Sequence, residues 1–263
     1  MMRRTKAFTL IELLVVVAII ALLIAILLPS LGRARAQAKT TACLSNVRGM
    51  GVVLNLYVAD WQKFLPFTGS TGDSWTQVLA KQSNGGLTTK TRLCPEASDP
   101  STHNTAVQPW WGTAHYAWGN SLETGNDPFT GQPLTASYGL NGHLYNAGSG
   151  IGSIGGSATQ SYSVPVSRQD TQIPAFVDSS WRHLTPKPTD PASPNNSLED
   201  PGPDNSVATT LPISFIMLNR HNKAVNVSFL DGHASTTKLP DLYKLYWSKD
   251  WVPPLATPPI PLK

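Results

Sequence analysis

Three sets of residues in this chain have types and spacings that can do chemistry. Nearest the C-terminus, His221 is followed after nine residues by Asp231-Gly232 and then His233. Neutral imidazole and carboxylate are common ligands, so a His/Asp/His set at the two ends of one hairpin is a candidate divalent-metal site. The plainer reading gives Asp231 to a turn and His221 to a strand end or a neighbouring loop. Asp178, Asp200 and Asp204, with nearby Asn residues, are a candidate calcium set, but their spacing lacks the EF-hand pattern. Trp110, Trp111, Tyr116 and Trp118 cluster beside His103 and His115, either as a carbohydrate platform or as core and loop anchors. The sequence has no GxSxG elbow, no HExxH, no phosphate-binding P-loop and no dinucleotide glycine fingerprint. It reads as no enzyme, with no cofactor required and calcium as the candidate ion of the acidic set.

The cysteines are two, Cys43 and Cys94, and no CxxC or local Cys/His cluster points to zinc. A bridge between them closes a loop of about 50 residues, worth about 4 kcal/mol in the chain-entropy model. Two buried free thiols are the alternative, and the residue count does not choose between them.

The elements that must position these groups differ sharply in texture. Of 263 residues, 20 are basic and 16 acidic, for a net charge of +4. Residues 1 to 59 hold seven basic residues and one acid, Glu12, so this stretch carries +6 and the remainder −2. The basicity belongs to the N-terminus, and a nucleic-acid-binding body is not expected. Between Phe8 and Leu28 only Thr9 and Glu12 are not apolar. As a helix these 21 residues span about 31 Å, enough to cross a bilayer. The run is too long for a signal-peptide core and ends in Leu27-Leu28-Pro29-Ser30, so removal after it is not expected. Pro29 predicts a local helix break or the end of the membrane segment. Beyond it Leu44, Val47, Met50/Gly51, Leu54 and Tyr57/Val58 recur at helical spacing, which extends the helix to about Asp60.

From Trp61 onward short apolar runs alternate with Gly, Pro, Ser, Thr and Asn, the texture of a loop-rich β domain over 61–263. Gly148 to Gly156 and Thr185 to Asp204 read as exposed loops. Strands are expected at 174–178, 213–218 and 224–230, with Asp231-Gly232 as a type I′ turn and 233–238 as the return strand. The simplest arrangement is α+β: a long N-terminal helix packed, by its second half, on a small antiparallel sheet.

The string Lys6-Ala-Phe-Thr-Leu-Ile-Glu12-Leu-Leu-Val-Val16 closely resembles the class III signal of type IV prepilins and type II secretion pseudopilins. The resemblance implies a leader of residues 1–7, cleavage between Ala7 and Phe8 by prepilin peptidase, and N-methylation of Phe8. The family usually has Gly where Ala7 stands. It also implies an assembly role for Glu12, which would neutralise the terminal amine of a neighbouring subunit, and a kink or melting point at Pro29. A second resemblance lies at the other end. Arg220-His-Asn-Lys-Ala-Val-Asn-Val-Ser-Phe-Leu-Asp-Gly-His233 looks like the H-X9-DG signature of a large set of bacterial pilin-like proteins. Cys43-Leu-Ser-Asn46, Cys94-Pro95 and Ser137-Tyr-Gly-Leu-Asn141 occur in the order that set shows.

Together these imply a structural subunit held by 8–28 in the bacterial inner membrane as a single pass. Its C-terminal domain is exported to the periplasm, and its partners are the bilayer, the inner-membrane assembly machinery and other pilin or pseudopilin subunits. The competing reading is a single-pass envelope protein whose domain binds a partner or polysaccharide without polymerising.

Overall fold

A computed structural model describes residues 9–67, 75–97, 112, 114, 117–118, 135–146, 159–164, 166, 170–190, 213–258 and 260. The first element, α1, is a helix over Leu10–Trp61. The chain divides within it into two compact units, Met1–Lys39 and Thr40–Lys263.

In the first unit α1 exposes its large apolar side chains from Leu10 to Leu31, with Glu12 as the one charge among them. It runs through Pro29 without a break, contrary to the local interruption the residue predicts. A proline removes one N–H, here the donor to the Ala25 carbonyl, and the loss of one bond is tolerated within a helix of 52 residues. Ser30 Oγ donates to the Leu27 carbonyl at 2.8 Å, using a carbonyl of the same turn.

In the second unit the remainder of α1 buries Cys43, Val47, Met50, Gly51, Leu54 and Tyr57. The spacing is that of one helix face, as the periodicity predicts, with Cys43 rather than Leu44 as its first fully buried member. Two short helices follow, α2 at Trp75–Gln82 and α3 at Thr89–Arg92.

Among the described residues the sheet has five strands: β1 Tyr138–Asn141, β2 Pro174–Asp178, β3 His183–Leu184, β4 Ala224–Phe229 and β5 Ala234–Lys238. Their order is β3-β1-β2-β4-β5. All neighbours are antiparallel except β1 and β3, which run parallel, so the sheet is mixed rather than purely antiparallel. β1 admits this packing because residue 139 is glycine. A Cβ there would lie 2.5 Å from the Trp181 carbonyl oxygen and 2.9 Å from Leu184 Cδ1, closer than any side chain tolerates.

The run 213–218 is not a strand. Ser214–Ile216 forms a 3₁₀ turn, and Ile213, Ile216, Met217 and Leu218 are buried from it. A short apolar run reports burial, and burial here comes from a compact turn.

The β4–β5 hairpin forms where expected, but its connection is longer than a two-residue type I′ turn. Phe229 N–H donates to the His233 carbonyl at 2.9 Å, and Gly232 N–H donates to the Phe229 carbonyl at 3.0 Å. Gly232 has φ +88°, while Asp231 does not have the positive φ that type I′ requires. This is a three-residue loop with glycine in the left-handed position.

The two sides of β4 go to different layers. Val225, Val227 and Phe229 pack with Leu239, Leu242, Tyr243, Trp247 and Trp251 of the C-terminal segment. Asn226 and Ser228 turn toward α1, with Asn226 Nδ2 donating to the Thr40 carbonyl at 3.3 Å and Gly51 lying against Ser228. The polar edge strand β5, Ala-Ser-Thr-Thr-Lys, closes the sheet on one side, a composition that discourages further strand pairing.

Candidate functional site

At the start of α1, Thr9 and Glu12 form a reciprocal cap. Glu12 Oε2 accepts from Thr9 N–H at 2.9 Å and from Thr9 Oγ1 at 2.8 Å, and Glu12 N–H donates to Thr9 Oγ1 at 3.3 Å. This is the capping box that the spacing Thr-x-x-Glu encodes, and it gives Glu12 a local function in starting the helix. In the sequence Glu12 stands out as a charge in an apolar run, which hides this second role. Among the described residues α1 is the helix long and apolar enough to cross a membrane. From Leu10 to Leu28 it rises about 28 Å, close to the thickness of a hydrocarbon core. Ala7 and Phe8 lie outside the described residues.

In the body, motif pieces that are far apart in the chain meet in one buried cluster. Cys43 of α1 and Cys94 are joined as a disulfide with Cα atoms 5.2 Å apart, so of the two readings of these cysteines the bridge is the one found. Tyr138 Oη, from the Ser137–Asn141 stretch, donates to Cys43 Sγ at 3.2 Å. His221 Nε2 lies 3.5 Å from Cys94 Sγ and 3.2 Å from Asp178 Oδ2, while its Nδ1 faces Thr40 Oγ1 at 3.1 Å. Asn46, three residues after Cys43, donates to the Leu93 carbonyl at 3.2 Å, beside the second cysteine. His221 thus touches α1, the Cys94 segment and β2 at once.

Arg220 and Asp178 supply the charge of this cluster, and both side chains are fully buried. The guanidinium lies 3.7 Å from Asp178 Oδ1 and donates to the Ser137 carbonyl at 2.6 Å and the Ala114 carbonyl at 3.1 Å. Asp178 Oδ2 accepts from the Asn226 N–H at 2.7 Å. A buried ion pair depends on extra hydrogen bonds; Arg220 and Asp178 Oδ2 have them, while Asp178 Oδ1 faces the guanidinium at 3.7 Å and accepts no hydrogen bond among the described residues. Burial lowers the Arg220 pKa, opposed by Asp178. Burial raises that of the Tyr138 phenol, and the Asp178 charge adds to the rise, which keeps the phenol a hydrogen-bond donor. Asp178 is the acid of this buried cluster; Asp200 and Asp204, the other members of the candidate calcium set, lie outside the described residues.

Asp231 and His233, the other members of the candidate metal set, sit elsewhere. Asp231 lies in the hairpin loop and His233 just after it, beyond the far end of β4 from His221. Six strand residues separate the two ends, about 20 Å of extended chain. Asp231 Oδ1 accepts from His233 N–H at 3.0 Å and meets His233 Nδ1 at 2.6 Å. The His233 ring stacks on Phe229 with centroids 4.2 Å apart. The candidate His221/Asp231/His233 metal set is not brought together, because a straight strand keeps its ends apart. The acidic and sulfur groups that do meet are Cys43, Cys94, Asp178 and His221, whose ligand atoms all lie within 4.8 Å of one another. That juxtaposition is invisible in the spacing, where no Cys/His cluster exists.

Of the aromatic group near residue 110, Trp118 is described, and it is buried against Trp75 with ring centroids 6.2 Å apart. It is a core residue, while Trp110, Trp111, Tyr116, His103 and His115 lie outside the described residues. Asn141, the last residue of the Ser137–Asn141 stretch, is a structural anchor. Its amide donates to the Pro174 and Trp247 carbonyls at 3.0 and 2.9 Å, and its oxygen accepts from His143 N–H.

An apolar exposed helix half, a helix face packed on a small mixed sheet and a buried disulfide define an α+β layout consistent with the pilin fold. Residues 2–28 match the family model described as the prokaryotic N-terminal methylation motif. The type IV wide pilus major component PilA4 of Thermus thermophilus is 40% identical over 86 residues, which cover 33% of this chain. The chain spans 57% of the length of that relative. No solved structure matches the chain significantly. Over these stretches the chain is similar to the N-terminal methylation motif and to a type IV pilus component.

Proposed function

We propose that the chain is a structural subunit of a type IV pilus-like or type II secretion pseudopilus filament. Prepilin peptidase cuts between Ala7 and Phe8, Phe8 is N-methylated, and residues 8–28 hold the subunit in the inner membrane with residues 61–263 exported. The observation that carries this reading is the methylation motif over residues 2–28, on a helix whose large apolar side chains from Leu10 to Leu31 are exposed. That surface needs cover, first from lipid and then from the same helices of neighbouring subunits. Assembly machinery in the membrane and other pilin or pseudopilin subunits are the partners, and packing of the α1 apolar halves is the polymerising contact.

Glu12 has two tasks in this account. Within the chain it caps α1. In the filament it neutralises the Phe8 ammonium of a neighbour, and removing one side of such a buried pair costs about 3 to 5 kcal/mol. The variant Glu12→Gln retains an acceptor for the cap and loses the charge. We expect it to insert in the membrane at the wild-type level and to be absent from the sheared filament fraction, measured by immunoblot of both fractions. Filaments at the wild-type level from this variant would refute the charge role. A wild-type chain that is never recovered with a filament would instead favour a membrane-anchored domain that does not polymerise.

A further inference from the structure

We propose that the chain with its disulfide reduced is a zinc-binding form, the ion held by Cys43 Sγ, Cys94 Sγ, His221 Nε2 and an Asp178 carboxylate oxygen. The four side chains are buried and their ligand atoms lie within 4.8 Å of one another. A tetrahedral zinc centre with bonds of about 2.0 to 2.3 Å places its ligand atoms roughly 3.3 to 3.8 Å apart. His221 Nε2 already stands 3.5 Å from Cys94 Sγ and 3.2 Å from Asp178 Oδ2. Reduction lets the two sulfurs separate to the same range, and the set becomes a closed site of two thiolates, one imidazole and one carboxylate.

The surrounding groups fit a metal as well as they fit the disulfide. With Nε2 on the ion, the imidazole proton sits on Nδ1 and donates to Thr40 Oγ1, 3.1 Å away. An outer partner of that kind fixes the tautomer and the ring plane of a ligating histidine. Tyr138 Oη donates to Cys43 Sγ, and the Asn226 N–H donates to Asp178 Oδ2, each a bond that a thiolate or carboxylate ligand retains. Charge balances too. Two thiolates and one carboxylate are offset by the zinc ion and by the Arg220 guanidinium beside Asp178.

The chemistry is a two-electron exchange. A dithiol reductant gives two electrons and two protons to the Cys43–Cys94 bond and leaves as its own disulfide. Zinc then takes the place of the two thiol protons, which pass to water. Oxidation by a disulfide reverses both steps and expels the ion. With two cysteines in the chain, the alternative pairing joins separate copies, and a bound ion withholds both thiolates from it.

The test uses the full-length chain in detergent, reduced with a dithiol reagent, freed of it under inert gas and titrated with Co2+ alone. We expect one ion per chain, with sulfur-to-cobalt charge-transfer absorption and intense tetrahedral d–d bands that disappear when Zn2+ is added. Thr40→Val lowers the Co2+ affinity by about 10-fold, within the range that lost outer partners produce, and His221→Gln and Asp178→Asn, which remove ligands, lower it by at least as much as the upper end of that range, about 100-fold. The wild type alone gives a second readout that needs no variant to fold. Zn2+ slows re-formation of the disulfide by oxidised glutathione at least tenfold relative to a chelator, with thiols counted by alkylation. The proposal is overturned if the reduced wild type gives no charge-transfer bands. It is also overturned if the His221 and Asp178 variants bind as tightly as wild type, or if Zn2+ leaves the oxidation rate unchanged.

Discussion

Removing the Cys43–Cys94 bond should be the most informative single perturbation of the body, because the bond ties the buried face of α1 to the segment that carries α3. The two residues are 51 apart in sequence. In the chain-entropy model a loop of that length, once opened, gives the unfolded state about 4 kcal/mol of extra freedom. For a unit of this size 1 kcal/mol moves the melting temperature by about 2 to 4 °C, so Cys43→Ala/Cys94→Ala is expected to lower it by about 8 to 16 °C. Paired alanines are the right change, since serines would bury two hydroxyls where sulfur now accepts from Tyr138. The assay is thermal unfolding of the full-length chain in detergent followed by near-ultraviolet circular dichroism, with the oxidised wild type as reference. The reduced wild type in metal-free buffer should melt close to the variant. A double variant melting within about 2 °C of the oxidised wild type would refute the claim that this bond constrains the body.

Two further outcomes follow from the buried charges and the buried imidazole. Asp178→Ala leaves Arg220 buried without its carboxylate and should cost about 3 to 5 kcal/mol in chemical denaturation, whereas Asp178→Ala/Arg220→Met should recover part of the loss. Burial, with Lys187 nearby, depresses the His143 pKa to about 4 from 6.5. The unfolded chain therefore binds the proton first as pH falls, so stability from this group is complete above about pH 6.5 and is lost toward pH 4. His143→Phe, measured by denaturation at pH 7 and pH 4.5, should show a smaller drop in stability between the two than wild type does.

Much of this arrangement can be read from local sequence, and the unread parts share a cause. α1 is legible because its two halves carry two different simple patterns, an unbroken apolar run and a period-3.6 face. The β4–β5 hairpin is legible from alternation and the Asp-Gly pair. β1 and β3 are not, since they are four and two residues long, β1 contains a glycine, and both depend on partners far along the chain. Ile213 to Leu218 shows the same limit from the other side, because its apolar residues are buried without a strand. In the site, His221 stands out by its spacing to Asp231, yet its partners are Asp178, Cys94 and Thr40. Spacing along one hairpin points to the wrong partners; tertiary packing chooses the right ones. The Thr9–Glu12 cap is legible as Thr-x-x-Glu, a signal overshadowed by the question of a charge in an apolar helix.

The pilus or pseudopilus reading rests most on what happens before Phe8. Intact-mass and N-terminal peptide mass spectrometry of the protein from its native membrane tests it directly. The account predicts a chain that has lost residues 1–7 and begins with Phe8 bearing one methyl group on its amine. A mature chain that retains Met1, or one that begins beyond Pro29, would contradict it.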